Sequence, residues 1–145
     1  MTARLIARSE GNFEVLRLGQ HWGRPLASEQ DLLASSAQRW ALIREVVLRC
    51  HGEPWVYARS VIPLATLSGN LRHLRHLQNQ SLGALIFRNP QLRRSHFEVA
   101  LLPAGSDYIR PGWQQQAPAW ARRSRFSIGS KHLSVSEVFL QQFQP

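Results

Sequence analysis

Cysteine is almost absent from this chain. Cys50 is the only one in 145 residues, so no intramolecular disulfide can form and a disulfide-stapled secreted fold is excluded. No apolar run approaches the ~20 residues that a membrane-spanning helix requires. The opening Met-Thr-Ala-Arg-Leu-Ile-Ala-Arg lacks the long apolar stretch and cleavage site of a secretory signal. A cytoplasmic protein without a membrane span is therefore expected. Recognisable chemical signatures are missing as well. There is no Ser-His-Asp pattern, no Walker loop and no Rossmann glycine pattern. His73 and His76 have a spacing that can place two ligands on one helical face, but no third ligand follows, so surface histidines and no metal are expected.

Acidic residues are few. Nine Asp and Glu stand against 18 Lys and Arg, a formal charge of +9, which implies an anionic partner. Arginines cluster at 93–94 and 122–125, but no helix-turn-helix, zinc-finger or RNP pattern accompanies them. Nucleic acid is thus not the expected partner, and a small anionic substrate is an equally good use of the field. Hydrophobic residues make up 43% of the chain, enough to core one domain spanning 1–145.

Several segments alternate or repeat in ways that predict elements. Thr2 to Ser9 reads as a short helix, and Phe13 to Leu18 alternates as a strand before a polar connection from Gly19 to Ser36 with room for a helical turn. A strand from about Arg39 to Cys50, a turn at 51–54 and a strand from Trp55 to Ile62 form the clearest hairpin. Pro63 ends it, having no N–H for the ladder. Leu67, Leu71, Leu74 and Leu77 make a helical stripe, and Ser81 caps a short helix running to Phe87. Strands follow near 96–102, 123–128 and 132–140, the last two joined by a turn at Gly129-Ser130-Lys131. The region 103–118, rich in Gly, Pro and Gln, reads as a long flap or excursion. Hairpin-linked strands with inserted helices indicate an α+β fold, a single antiparallel sheet with helices packed on it.

Two charges stand where this pattern otherwise buries hydrocarbon. With side chains alternating between faces, Arg44 shares a strand face with Trp40, Leu42, Val46, Leu48 and Cys50, and Glu137 shares one with Leu133, Val135 and Phe139. Cys50 is accordingly expected to be a buried, inert thiol. A lone ion in an apolar interior costs several kcal/mol, so each charge needs a partner or a ligand. A structural ion pair across the sheet satisfies them as well as a ligand does. If a ligand satisfies them, the guanidinium suits a carboxylate and the carboxylate suits a hydroxyl or a proton. The ligand would then be small and carry a carboxylate and a hydroxyl.

The residues around these charges resemble bacterial chorismate lyases. The resemblance rests on Leu42-Ile43-Arg44-Glu45-Val46-Val47-Leu48, Gly52-Glu53-Pro54-Trp55, Arg59-Ser60-Val61-Ile62-Pro63 and Thr66-Leu67-Ser68-Gly69. It continues in Leu82-Gly83-Ala84-Leu85-Ile86-Phe87, Ala121-Arg122-Arg123-Ser124-Arg125 and Val135-Ser136-Glu137-Val138-Phe139-Leu140. It implies cleavage of chorismate to 4-hydroxybenzoate and pyruvate for ubiquinone synthesis, in a closed site under helical flaps, with no cofactor and a monomeric chain. By motif, Arg44 would bind the aromatic carboxylate, the Leu82 backbone N–H would assist, and Glu137 would face the ring hydroxyl. Arg44 and Glu137 would be the catalytic pair. Met1-Thr2-Ala3-Arg4-Leu5 is similar to a family motif that places a substrate-binding residue at Met1, normally after an N-terminal helical segment, so a truncated start is expected. The 103–118 loop looks longer than in the family. The competing reading is a non-catalytic aromatic-acid sensor of the same fold.

Overall fold

In the computed structural model, which describes residues 2–34 and 40–143, the alternating segments pair into one antiparallel sheet. The elements run α1 (Thr2–Ser9), β1 (Phe13–Gly23), α2 (Ala27–Leu33), β2 (Ala41–Cys50) and β3 (Glu53–Pro63). They continue with α3 (Leu82–Ile86), β4 (Arg93–Arg94), β5 (Glu98–Leu102), β6 (Ala119–Ile128) and β7 (Lys131–Phe139). The strand order is β1-β2-β3-β7-β6-β4, with β5 also on the free edge of β6. This is the α+β, single-sheet architecture expected from the hairpins.

Turn chemistry sets the register. Cys50 pairs with Glu53, and the two residues between them, His51 and Gly52, have φ of 54° and 77°. Two positive φ values in a two-residue loop match the right-handed twist of the flanking strands. The second hairpin turns in the same space, with Ile128 opposite Lys131.

Both faces of the central strands are covered. Leu42, Ile62, Leu71, Leu74, Leu77, Phe126 and Leu133 form one buried cluster. Beside it on the same face Leu5 of α1 packs with Val15, Val46, Leu48 and Cys50. The opposite face buries Val47, Tyr57, Ile109, Ala121 and Val138.

Several expectations are corrected. The leucine stripe is helical as expected, but of the 3-10 kind. It winds as 3-10 turns at Leu64–Thr66 and Gly69–His76, because leucines spaced by three stack on one side of a helix with three residues per turn. β1 runs on to Gly23, past a bulge between Arg17 and Gly19, while α2 is the helical turn for which the polar connection had room. Trp40 is exposed and precedes β2, so it does not join the face of Arg44. The 103–118 loop is neither a flap over the site nor an excursion into solvent. It folds against the sheet face opposite Arg44, where Ile109 is only 1% exposed and Tyr108 and Trp113 pack beside it.

That opposite face carries a polar network. Glu29 is 1% exposed; its carboxylate accepts from Arg59 Nε at 2.8 Å, from Arg59 Nη2 at 3.0 Å and from the Leu26 N–H at 2.9 Å. This arrangement ties α2 to β3 through a bidentate, charge-assisted contact. Nearby, the buried Tyr57 hydroxyl donates to Glu45 Oε2. Burial, then the hydrogen bond to Glu45, push the Tyr57 phenol well above its ordinary pKa.

Candidate active site

Register places the two singled-out charges on one face. Arg44 on β2 pairs with Ser60 on β3, which pairs with Val135 on β7. Two residues along, Val46 pairs with Ala58, Ala58 with Glu137, and Glu137 with Arg122 on β6. Directly paired residues in antiparallel strands share a face, so Arg44, Val46, Ala58, Ser60, Val135, Glu137 and Arg122 point the same way. Arg44 and Glu137 are separated by two strand spacings and two residues, roughly 12 Å between Cα atoms from standard strand dimensions.

A cavity lies between them. Its floor is Val46, Ala58, Ser60, Val135 and Phe126, and its roof includes Leu82, Gly83 and Ile86. Phe87 meets Phe126 edge to face at 5.7 Å on one side. The cavity leaves about 70 Å³ for the centres of water-sized molecules, several times the ~10–15 Å³ that one water needs. Arg44 and Glu137 both line it and make no contact with each other.

Arg44 is 2% exposed. Its Nη1 donates to the Gln78 carbonyl and its Nη2 to the Gln80 carbonyl, each at 2.7 Å. A guanidinium has five N–H donors, so these bonds hold the segment before α3 while leaving donors for a ligand. Burial, followed by the nearby charge of Arg17, pushes the Arg44 pKa down to about 10. It therefore remains a cation at neutral pH. The segment it anchors ends at Ser81, whose Oγ caps α3 by accepting from the Ala84 N–H at 3.3 Å. Leu82, next in sequence, is buried in the cavity wall.

Glu137 differs from the expectation of a lone carboxylate. Arg122 Nη2 stands 3.5 Å from Glu137 Oε2. Arg94 also lines the cavity, and Phe97 carries both cations, with Arg94 Cζ and Arg122 Cζ each 4.2 Å from its ring centroid. Reading the two arginine clusters as surface charge missed this grouping. The signal for Arg122 was its strand parity with Phe126, which lines the same cavity. Its neighbour Arg123 instead faces the other way, donating to Glu98 Oε2 at 2.7 and 2.9 Å and to the Ser28 carbonyl.

Met1 lies outside the described residues. His73 and His76 are both exposed on the 3-10 turn. Among the described residues no group of three His, Cys, Asp or Glu is placed to hold a metal ion. Cys50 is fully buried, and burial pushes its thiol pKa up, which keeps it protonated and unreactive. No helix among the described residues is long and apolar enough to cross a membrane.

An antiparallel sheet with a charged cavity on one face defines a small-molecule-binding domain. Solved structures with this fold include the PhnF C-terminal domain, at TM-score 0.71 and 13% identity over 89% of this chain and 83% of that one. The effector domain of PhnF from Mycobacterium smegmatis matches at TM-score 0.66 and 14% identity, over 95% and 88%. At such identities the likeness is one of fold. Sequence supplies the rest: the chorismate lyase family profile matches residues 1–144. A protein of Methylococcus capsulatus named "Probable chorismate pyruvate-lyase" is 40% identical over 97% of this chain and 88% of its own length. One of the same name from Pseudomonas syringae pv. tomato is 37% identical over 97% and 74%. The chain belongs to the chorismate lyase family.

Proposed function

We propose that this protein is a chorismate pyruvate-lyase, converting chorismate to 4-hydroxybenzoate and pyruvate at the cavity between Arg44 and Glu137. The observation that carries the reading is the polarity of that cavity. A buried cation with spare donors stands at one end, the only carboxylate among its described lining residues stands at the other, and apolar walls lie between. Such a site orients a flat acid with a hydroxyl at the far end of its ring. The ring carboxylate lies against Arg44, assisted by the Leu82 backbone N–H, and the hydroxyl lies toward Glu137.

The chemistry asks little of the protein. The ring C–O bond to the enolpyruvyl group breaks, and its electron pair leaves on the ether oxygen as the enolate of pyruvate. A proton leaves the adjacent hydroxyl-bearing ring carbon, so the ring becomes aromatic. The enolate takes up one proton at its methylene carbon and becomes pyruvate. Nothing is oxidised overall, no water is consumed and no cofactor is needed. Aromatisation drives the reaction, so the protein's task is to hold the reactive conformer and exclude water. Glu137, the carboxylate at the hydroxyl end, accepts the ring proton in this reading. The formal charge of +9 draws in a dianionic substrate. The reaction supplies 4-hydroxybenzoate for ubiquinone, in the cytoplasm, from a monomeric chain.

The test is to mix the protein with chorismate and follow 4-hydroxybenzoate and pyruvate together. Formation of both in equal amounts supports the reading, and no product above the uncatalysed rate refutes it. Fold neighbours that are effector domains favour one alternative, an aromatic-acid binder without turnover. Tight 4-hydroxybenzoate binding with no lyase activity would select that instead.

A further inference from the structure

Glu137 does not balance the positive charge of the cavity. Arg44, Arg94 and Arg122 all line it against that single carboxylate. The surplus is concentrated at the Glu137 end. Arg94 and Arg122 are both held against the one Phe97 ring, where two like charges repel unless an anion joins them. Neither is well satisfied. Arg122 reaches Glu137 only at 3.5 Å, and its Nε is buried with no hydrogen-bond partner among the described residues. Arg94 pairs with no carboxylate among those residues. Register keeps both on the cavity side: Arg94 pairs with Phe126, and Arg122 with Glu137. A buried N–H without a partner, beside two cations that share a single carboxylate, is the donor set that an anion would satisfy.

We infer that Arg94 and Arg122, carried on Phe97, bind the second carboxylate of the substrate, that of the enolpyruvyl group. The inference rests on the lyase reading above. In chorismate the ether oxygen sits on the ring carbon next to the hydroxyl-bearing one. With the ring carboxylate on Arg44 and the hydroxyl toward Glu137, the enolpyruvyl group falls at the Glu137 end, beside these two arginines. One cationic site then serves each carboxylate of the dianion. The division also separates substrate from product, because 4-hydroxybenzoate keeps the carboxylate on Arg44 and has none for Arg94 to hold. Arg94 is exposed on the two-residue β4, at the mouth, and Arg122 is half-buried behind it. The pair is thus a specificity device for substrate over product.

The experiment compares Arg94→Gln with the wild type on two ligands. The expected result is an increase of about tenfold in the KM for chorismate, as for loss of one charge-assisted hydrogen bond. The 4-hydroxybenzoate inhibition constant stays within about twofold, since the product makes no use of that charge. Arg94→Lys recovers part of the loss. An unchanged KM, or equal weakening of chorismate and 4-hydroxybenzoate, overturns the inference. Where the chain forms no product, calorimetric titration with each ligand gives the same comparison without turnover. A wild type that forms no products therefore refutes the lyase reading, while the Arg94→Gln binding ratio still decides this one.

Discussion

Replacing Arg44 with Met separates what the guanidinium does for folding from what it does for a ligand. Arg44→Met removes two hydrogen bonds from a charged donor, to the Gln78 and Gln80 carbonyls. Each is worth about 1.5–3 kcal/mol, or roughly 3–6 kcal/mol gross for the pair. Against this stands the cost of keeping a cation at 2% exposure, an effective penalty of several kcal/mol for an ion inside a protein. Gln78 and Gln80 are exposed residues, so water can replace the lost donors. The methionine stem also refills most of the arginine's apolar length. The two contributions nearly cancel, leaving a net loss of about 1–2 kcal/mol and a fall in Tm of roughly 2–8 °C for a domain of this size. Binding has no such compensation. Removing one partner of a buried, hydrogen-bonded charge pair costs about 2–5 kcal/mol, so 4-hydroxybenzoate affinity should fall by roughly thirtyfold to several thousandfold. The assay is calorimetric titration with 4-hydroxybenzoate beside a thermal melt of the same sample. Retained affinity, or affinity lost only in proportion to a collapse of the fold, would refute the reasoning.

Other predictions follow from neighbouring groups. Glu137→Gln should lower kcat about a hundredfold or more, the scale of lost general-base catalysis, with a smaller change in KM; unchanged kcat in steady-state assays would remove Glu137 from the proton transfer. Tyr57→Phe leaves buried Glu45 without its hydroxyl donor, so the denaturant midpoint should report a loss of about 1–3 kcal/mol. The chorismate KM should stay unchanged, because Tyr57 lies on the opposite face. The lowered Arg44 pKa has a clear sign: the group is a cation below about 10 and loses its proton above it. Affinity for benzoate, which has the carboxylate but no phenol to titrate in this range, should therefore be flat between roughly pH 7 and 9 and fall as pH rises through 10, and a loss beginning near neutrality in the titrations would contradict this. Finally, kcat/KM should fall as salt rises through the range where the Debye length drops from about 30 to 10 Å, if the basic field draws in the substrate.

The sheet was legible because period two and turn residues are local signals. Alternation in β2 and β7 placed Arg44 and Glu137 on inward faces, and His51-Gly52 and Gly129-Ser130 marked both hairpins. What escaped depends on pairing between distant residues. Arg94, Phe97 and Arg122 meet only because β4 and β6 are neighbours in the sheet, and a two-residue strand such as β4 has no period to detect. Glu29 lay in a stretch that reads as polar and exposed, yet Arg59, 30 residues on, draws it into a buried pair. The 103–118 loop looked like solvent-exposed chain by its Gly and Pro content, while Tyr108, Ile109 and Trp113 supplied the apolar contacts that seat it. The leucines at 71, 74 and 77 carried their answer in a spacing of three, which favours the 3-10 turn over the α-helix.

The most direct test of the central claim is a crystal structure with 4-hydroxybenzoate bound. The ring should lie between the Val46–Ala58 floor and the Leu82–Ile86 roof, its carboxylate on Arg44 and its hydroxyl toward Glu137. An empty cavity with the ligand elsewhere, or a ring bound with its carboxylate at Glu137, would contradict it.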